Sequence, residues 1–133
     1  MGAVDFEGAH LHVHSPPSLP PPVNGSLPIW VGGWWPNPAP FARAAGFDGV
    51  VPGKVGQERG ETLTIEDLHA IRAAVGRDDG FDYVVSGCTG SPSDTDAVQQ
   101  WEAAGATWWL ENLYPWGGVD AMRSRLGAGP PRA

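Results

Sequence analysis

Pro28-Ile29-Trp30-Val31-Gly32-Gly33-Trp34-Trp35-Pro36 is the stretch on which the fold turns. A short apolar run, residues 29–31, meets two glycines and two tryptophans. A Pro/Asn turn and an Ala-rich segment follow, and the spacing predicts a helix over about 37–45, with Pro40 in its first turn where proline is tolerated. Phe47-Asp48-Gly49-Val50-Val51-Pro52 then reads as a second buried strand. Strand, glycine turn, helix, strand is one βα unit of a parallel sheet. Read as a turn, Gly32-Gly33 leaves backbone N–H groups bare near a helix N-terminus, a place that suits an anion.

The pattern repeats downstream. A polar, Gly-rich loop over residues 52–61 leads to Thr64-Ile65-Glu66-Asp67, where Thr64 is a good N-cap and the two acids suit a first helical turn. Ile65, Leu68, Ile71 and Val75 recur at helical period and Gly76 ends the helix. Residues 81–87 read as a third strand, followed by the small-residue loop Cys88-Thr89-Gly90-Ser91-Pro92. Ser93 is the expected cap of the next helix, whose buried side is Ala97, Val98, Trp101 and Ala104. Residues 106–111 read as a fourth strand and residues 120–126 as a last helix. Strand centres at Val31, Val51, Val85 and Trp109 leave room for a crossover helix between each pair. The sheet is therefore expected to be parallel, an α/β architecture of four strand–loop–helix units, which is half of a (β/α)8 barrel or a small open sheet.

The 133 residues suffice for one domain. Residues 1–27 read as a proline-rich lead-in with a short strand, 28–126 as the domain, and 127–133 as a flexible tail. Nineteen glycines and fourteen prolines, about twice the average share, make a loop-rich chain. The net charge of −7 and the lack of any Lys/Arg cluster argue against nucleic acid and anionic membrane as partners. No signal peptide and no membrane-length apolar run is visible, and the single cysteine, Cys88, fits a reducing cytoplasm.

Ala9-His10-Leu11-His12-Val13-His14 alternates like a half-buried strand and puts three imidazoles on one face. Such a face can hold a metal, but no carboxylate or thiol stands next to it in the sequence, so the plainer reading is an edge strand's solvent face and no metal is assigned. Trp34-Trp35 either stack on a flat ring or fill the end of the sheet. Trp108-Trp109 lie within a strand and read as packing, one ring to each face. Glu111 ends a strand and reads as a general base or as a salt-bridge residue. Cys88 reads as a reactive thiol only if a helix N-terminus lowers its pKa. Glu58 and Arg59 lie in a loop that either faces a substrate or is simply solvated. No nucleophile elbow, P-loop or dinucleotide fingerprint is present, and no catalytic residue is assigned.

The segments Pro28-Ile29-Trp30-Val31-Gly32-Gly33, Arg43-Ala44-Ala45-Gly46-Phe47-Asp48-Gly49-Val50-Val51-Pro52, Leu63-Thr64-Ile65-Glu66-Asp67-Leu68 and Ala104-Gly105-Ala106-Thr107-Trp108-Trp109-Leu110-Glu111, in this order and spacing, resemble the C-terminal half of the bacterial-luciferase-like family of flavin- or deazaflavin-dependent oxidoreductases. The resemblance runs from about Gly8 to Pro131. It implies strands five to eight of a (β/α)8 barrel, with residues 29–33 as strand five and 107–111 as strand eight. It implies FMN or a deazaflavin coenzyme at the C-terminal ends of the strands, with the phosphate at Gly32, Gly33, Trp34 and Trp35, and with Gly87, Cys88 and Thr89 on the same cofactor side. The turn at residues 35–39 carries no Lys or Arg, which weakens the expected phosphate site. A whole barrel needs roughly 250 residues, so strands one to four are missing. The expected function is a fragment of a luciferase-like oxidoreductase or monooxygenase; the alternative is a non-catalytic relic or cofactor-binding half-barrel. Either way the chain is expected to self-associate or to pair with a complementary N-terminal half-barrel, because a half barrel has two open edges and an exposed interior face.

Overall fold

A computed structural model describes residues 3–16, 22–56, 61–113 and 117–131. Glu58 and Arg59, read above from the sequence, and part of the proline-rich lead-in lie outside the described residues.

Two elements precede the main sheet. β1 (Val4–Glu7) and β2 (His12–Ser15) form an antiparallel hairpin. The sequence reading missed β1 and placed the second strand too early: His10 falls in the turn, and only His12 and His14 share a strand face. Two carboxylates do stand beside them, across the hairpin rather than along the chain. Asp5 lies opposite His14 and Glu7 opposite His12. His14 contacts Asp5 at 2.6 Å and Glu7 at 2.7 Å, and His12 Nδ1 contacts Glu7 as well. All four side chains are exposed, and the described residues contain no group of three or more His, Cys, Asp or Glu arranged to hold a metal ion.

The expected βα series follows: β3 (Trp30–Trp35), α1 (Ala39–Ala44), β4 (Gly49–Lys54), α2 (Ile65–Val75), β5 (Asp82–Gly87), α3 (Thr95–Ala103), β6 (Trp108–Glu111) and α4 (Val119–Ala128). The strands form one sheet in the order β3-β4-β5-β6 and every neighbouring pair is parallel. β4 and β5 are registered through Gly49 with Asp82 and Val50 with Tyr83, near their N-terminal ends.

Four local expectations are corrected. Gly32-Gly33 is not a turn. β3 runs straight through both glycines, which pair with Val51 and Pro52 of β4, and the strand ends only at Trp35. Without a Cβ, Gly33 lets α1 lie against the strand: a Cβ there would come 2.7 Å from Pro40 Cβ and 3.3 Å from Phe41 Cζ. α1 is accordingly shorter than predicted, beginning only after Pro38. α3 is capped at Asp94 rather than Ser93. α4 extends through Gly127 to Ala128, past the expected start of the tail.

All core contacts gather on one face of the sheet. Side chains alternate along a strand, so Val31 and Trp35 of β3, Val50 of β4, Tyr83 and Val85 of β5 and Trp109 of β6 point the same way. They meet Phe41 and Ala44 of α1 and Leu68, Ile71 and Val75 of α2. Trp101 and Ala104 add α3 at the margin, where the helix buries nothing completely. The helical stripe read from residues 65–75 is therefore the core, with Ile65 only half-buried at its end. Thr64 caps that helix in a reciprocal capping box with Asp67, and Gly76 closes it in the left-handed conformation at φ +69°.

The opposite face carries Trp30, Gly32 and Trp34, then Gly49, Val51 and Gly53, then Asp82, Val84 and Ser86, then Trp108 and Leu110. Trp30 leans over Gly49, donates from Nε1 to Asp82 at 2.9 Å, and meets the Trp108 ring at 5.4 Å between centroids. These rings bury Val84 on the side away from the main core. Toward the C-terminal ends of the strands the same face is open: Trp34 is 64 % exposed and Leu110 39 %.

Candidate functional site

The residues singled out at the strand ends divide between the two faces of the sheet. Gly32 and Trp34 lie on the open face. A Cβ on Gly32 would meet nothing within 4 Å, so this glycine leaves free space. The Trp34 ring lies flat across Gly53, where an added Cβ would come within 2.8 Å of it. Gly33 and Trp35 belong to the other face. Trp35 packs edge-on against Phe41 at 5.6 Å and is part of the core margin. The tryptophan pair therefore splits, Trp35 to packing and Trp34 to the exposed face over Gly53. Trp108 and Trp109 split in the same way, as expected.

Gly87, Cys88 and Thr89 are on the helix side. A Cβ on Gly87 would come 2.4 Å from both Thr62 Oγ1 and the Trp109 ring. The backbone can turn there only because the side chain is absent. The Cys88 thiol donates to the Asn112 carbonyl at 3.3 Å. Burial pushes its pKa up, and the nearby Glu111 carboxylate pushes it further in the same direction. α3 begins only after Asp94, so no helix N-terminus offsets these effects. The reactive-thiol reading of Cys88 fails on electrostatics.

Thr89 is the centre of a buried polar cluster. Its backbone N–H donates to Glu111 Oε1 at 2.8 Å and its hydroxyl donates to Glu111 Oε2 at 3.0 Å. Trp109 Nε1 donates to the same oxygen at 3.0 Å. Arg125 of α4 donates to Thr89 Oγ1 at 2.8 Å and to the Gly129 carbonyl at 2.5 Å, and its guanidinium stands 3.6 Å from Glu111 Oε1. Four donors converge on one carboxylate, and the Arg125 side chain is only 4 % exposed. A general base must keep a lone pair for the proton it takes. Here Glu111 is the clamp that ties the β5 and β6 ends to α4, the salt-bridge reading of the two given by the sequence. Arg125 was not legible as part of it, because nothing in the sequence of α4 sets it apart from Arg123. Arg125 Nε is buried without a hydrogen-bond partner, next to a cavity of about 240 Å³ lined by Glu111, Leu113, Leu126, Gly129 and Pro130.

The N-terminus of α1 was the expected anion site. Pro36, Pro38 and Pro40 have no N–H to offer. The Ala39 N–H donates to the Asn37 side chain at 3.2 Å, and the Phe41 and Ala42 N–H groups both donate to the Pro38 carbonyl. The described donors of this turn are thus already used. The Thr89 N–H is taken by Glu111 and the Gly90 N–H by Asp94 at 3.0 Å. Lys54, at the end of β4, binds Asp67 at 2.6 Å, and the Arg125 guanidinium is held by Thr89, Gly129 and Glu111. These groups do not fit a phosphate. On the open face, the exposed Trp34 ring and the free space at Gly32 suit stacking of a planar aromatic ring.

No helix among the described residues is long and apolar enough to cross a membrane. A model of the luciferase-like monooxygenase family matches residues 1–126 of the chain. No curated protein matches it. No solved structure matches it either.

Proposed function

The chain belongs to the luciferase-like monooxygenase family, and from that premise we propose that it supplies the ring-binding wall of a flavin- or deazaflavin-dependent oxidoreductase. The observation that carries this reading is the open sheet face at the C-terminal strand ends, where Trp34 lies over Gly53 beside the empty space at Gly32. Ligands of parallel α/β sheets sit at that end of the strands. Members of the family generally use reduced flavins, and FMN or a deazaflavin coenzyme is the cofactor class proposed. When bound, it supplies the hydride or oxygen chemistry. The residues of this chain hold and shield it: Trp34 stacks on the ring, Leu110 keeps water from its edge, and Gly32 leaves the room it needs. Of the residues assigned from the resemblance, Gly32 and Trp34 keep a direct role. Gly33, Trp35, Gly87, Cys88 and Thr89 shape the wall from behind, and the phosphate takes its donors from outside the groups described above. A reducing cytoplasm is the compartment that suits a free thiol and a reduced cofactor.

The four parallel strands, taken in chain order with their core helices on one face, support the reading of strands five to eight of a (β/α)8 barrel. A second reading is a non-catalytic half-barrel. The spent donors at the α1 N-terminus favour it, because a working cofactor site needs its phosphate held.

The test is a fluorescence titration of the chain with FMN and, separately, the deazaflavin coenzyme. Saturable binding of one is expected, weakened at least about tenfold by Trp34→Ala through loss of stacking and apolar area. Absence of binding to both, or equal binding by Trp34→Ala, overturns the proposal.

A further inference from the structure

The β1–β2 hairpin gathers four side chains of metal-ligand type on one face. Side chains alternate along a strand, so Asp5 and Glu7 of β1 share a face with His12 and His14 of β2, while Phe6 and Val13 take the other. Asp5 stands opposite His14 and Glu7 opposite His12. Residues directly opposite on antiparallel strands have Cβ atoms about 5 Å apart, close enough for one ion to be reached from both strands. We propose that this face binds one divalent ion of the zinc class, held by His12, His14 and Glu7, with Asp5 orienting His14. The inference is independent of the cofactor reading above.

The contacts on this face assign the roles. His14 Nδ1 stands 2.6 Å from Asp5 Oδ1. A metal-binding histidine commonly gives its second ring N–H to a carboxylate, which fixes ring and tautomer. Donation from Nδ1 to Asp5 leaves Nε2 as the ligand atom. That nitrogen lies 2.7 Å from Glu7 Oε1, and the other Glu7 oxygen meets His12 Nδ1. One carboxylate thus stands between two imidazole nitrogens. These donors are turned on one another rather than on a common centre. Ligand atoms on a tetrahedral zinc, about 2.0–2.1 Å from the ion, lie about 3.3 Å from one another. An ion entering beside Glu7 therefore asks Nε2 and Oε1 to part by roughly 0.6 Å. All four side chains are more than half exposed, so their rotation meets no packing. Two carboxylates on the face and a chain charge of −7 favour a cation. Two imidazoles with one carboxylate suit zinc rather than calcium or magnesium, which take oxygen ligands. Three protein ligands leave the fourth position to water. The ion clips β1 to β2 in a two-stranded hairpin, a unit that is marginal in water on its own.

The experiment titrates the full chain, free of any affinity tag, with zinc against a chromophoric chelator, and with cobalt(II) read by its visible absorption. Saturable binding of one ion per chain is expected at micromolar metal. His12→Ala, His14→Ala and Glu7→Ala each remove a ligand. Asp5→Ala removes only the orienting contact and is expected to cost about tenfold in affinity, less than any of those three. His10→Ala, in the turn between the strands, is expected to bind like wild type. A variant can also lose the metal by losing the hairpin, so amide exchange of the wild-type chain is the second readout. With zinc at about ten times Kd, the hydrogen-bonded amides of the hairpin are expected to exchange about tenfold more slowly, and those of β3 to β6 at an unchanged rate. No binding at micromolar metal overturns the inference. So does more than one ion per chain, or binding weakened as much by His10→Ala as by His12→Ala. Zinc that leaves hairpin exchange unchanged overturns it as well.

Discussion

Replacing Glu111 by Gln tests the buried clamp at the strand ends. The carboxylate accepts from the Thr89 backbone, the Thr89 hydroxyl and Trp109 Nε1, and stands 3.6 Å from the Arg125 guanidinium. A carboxamide keeps one acceptor oxygen. In either orientation its NH2 faces at least one donor, and the Arg125 charge loses its counter-ion while remaining 4 % exposed. Removing one partner of a buried ion pair costs about 3–5 kcal/mol. Arg125 keeps its bonds to Gly129 and Thr89, and Glu111 itself is 17 % exposed, so the lower range of about 2–4 kcal/mol applies. Against a total stability of about 5–15 kcal/mol this is a large fraction. Urea unfolding at neutral pH, followed by tryptophan fluorescence, reads it as a fall of about 1–2 M in midpoint with an unchanged slope. The double variant Glu111→Gln with Arg125→Met also removes the charge left without its counter-ion and is expected to cost less than the sum of the two single substitutions, which is the mark of a coupled pair. A Glu111→Gln midpoint within error of wild type would refute the clamp and return Glu111 to the list of free carboxylates.

Three further outcomes follow from the geometry. Cys88 is expected to react with iodoacetamide more slowly than free cysteine at neutral pH and to speed up only in alkali, since burial and then Glu111 raise its pKa; rapid labelling of the folded chain would contradict this. Burial alone would raise the Asp67 pKa, but the hydrogen bonds from Lys54 and Thr64 outweigh it and hold the carboxyl below its ordinary value. Its stabilisation is therefore present above the unfolded pKa of about 3.9 and is lost as pH falls through the lower folded value. Asp67→Asn should cost up to about 1 kcal/mol at neutral pH through the lost ion pair with Lys54 and a weakened capping box and flatten the acid limb of the stability profile, both measured by urea unfolding across pH. Gly33→Ala should cost about 1–3 kcal/mol because the new methyl meets the rigid Pro40 ring at 2.7 Å. Gly32→Ala, in open space one residue away, should stay within about 0.5 kcal/mol of wild type, and thermal unfolding of the pair checks the contrast.

The elements with strong periodicity were legible from the residues alone. The Leu68, Ile71 and Val75 stripe, the Thr64 cap and the short apolar run Tyr83-Val84-Val85 of β5 specify their structures locally, and the crossover spacing specified a parallel sheet. The misread positions are those where a distant neighbour decides. Gly32-Gly33 looks like a turn by composition, yet pairing with β4 holds it extended, and only the approach of α1 explains why Gly33 must lack a side chain. The histidine face seemed to lack acids because its carboxylates arrive across a hairpin whose first strand, Val4–Glu7, is short and exposed. The split of the Trp34-Trp35 pair follows from strand alternation once the strand is known to continue. Arg125 had no local signal at all: its partners, Thr89 and Glu111, are contributed by two other elements, and nothing in the Val119–Ala128 pattern marks one arginine as buried.

The most direct measurement of the central claim is the visible circular dichroism of FMN titrated with the wild-type chain and with Gly32→Leu. A flavin held rigidly against the open face acquires an induced band. Leucine at position 32 projects into that space, and nothing lies within 4 Å of its Cβ. The account predicts an induced band for wild type and its loss in Gly32→Leu at unchanged thermal stability. An equal band in both proteins would place the cofactor away from this face and contradict the account.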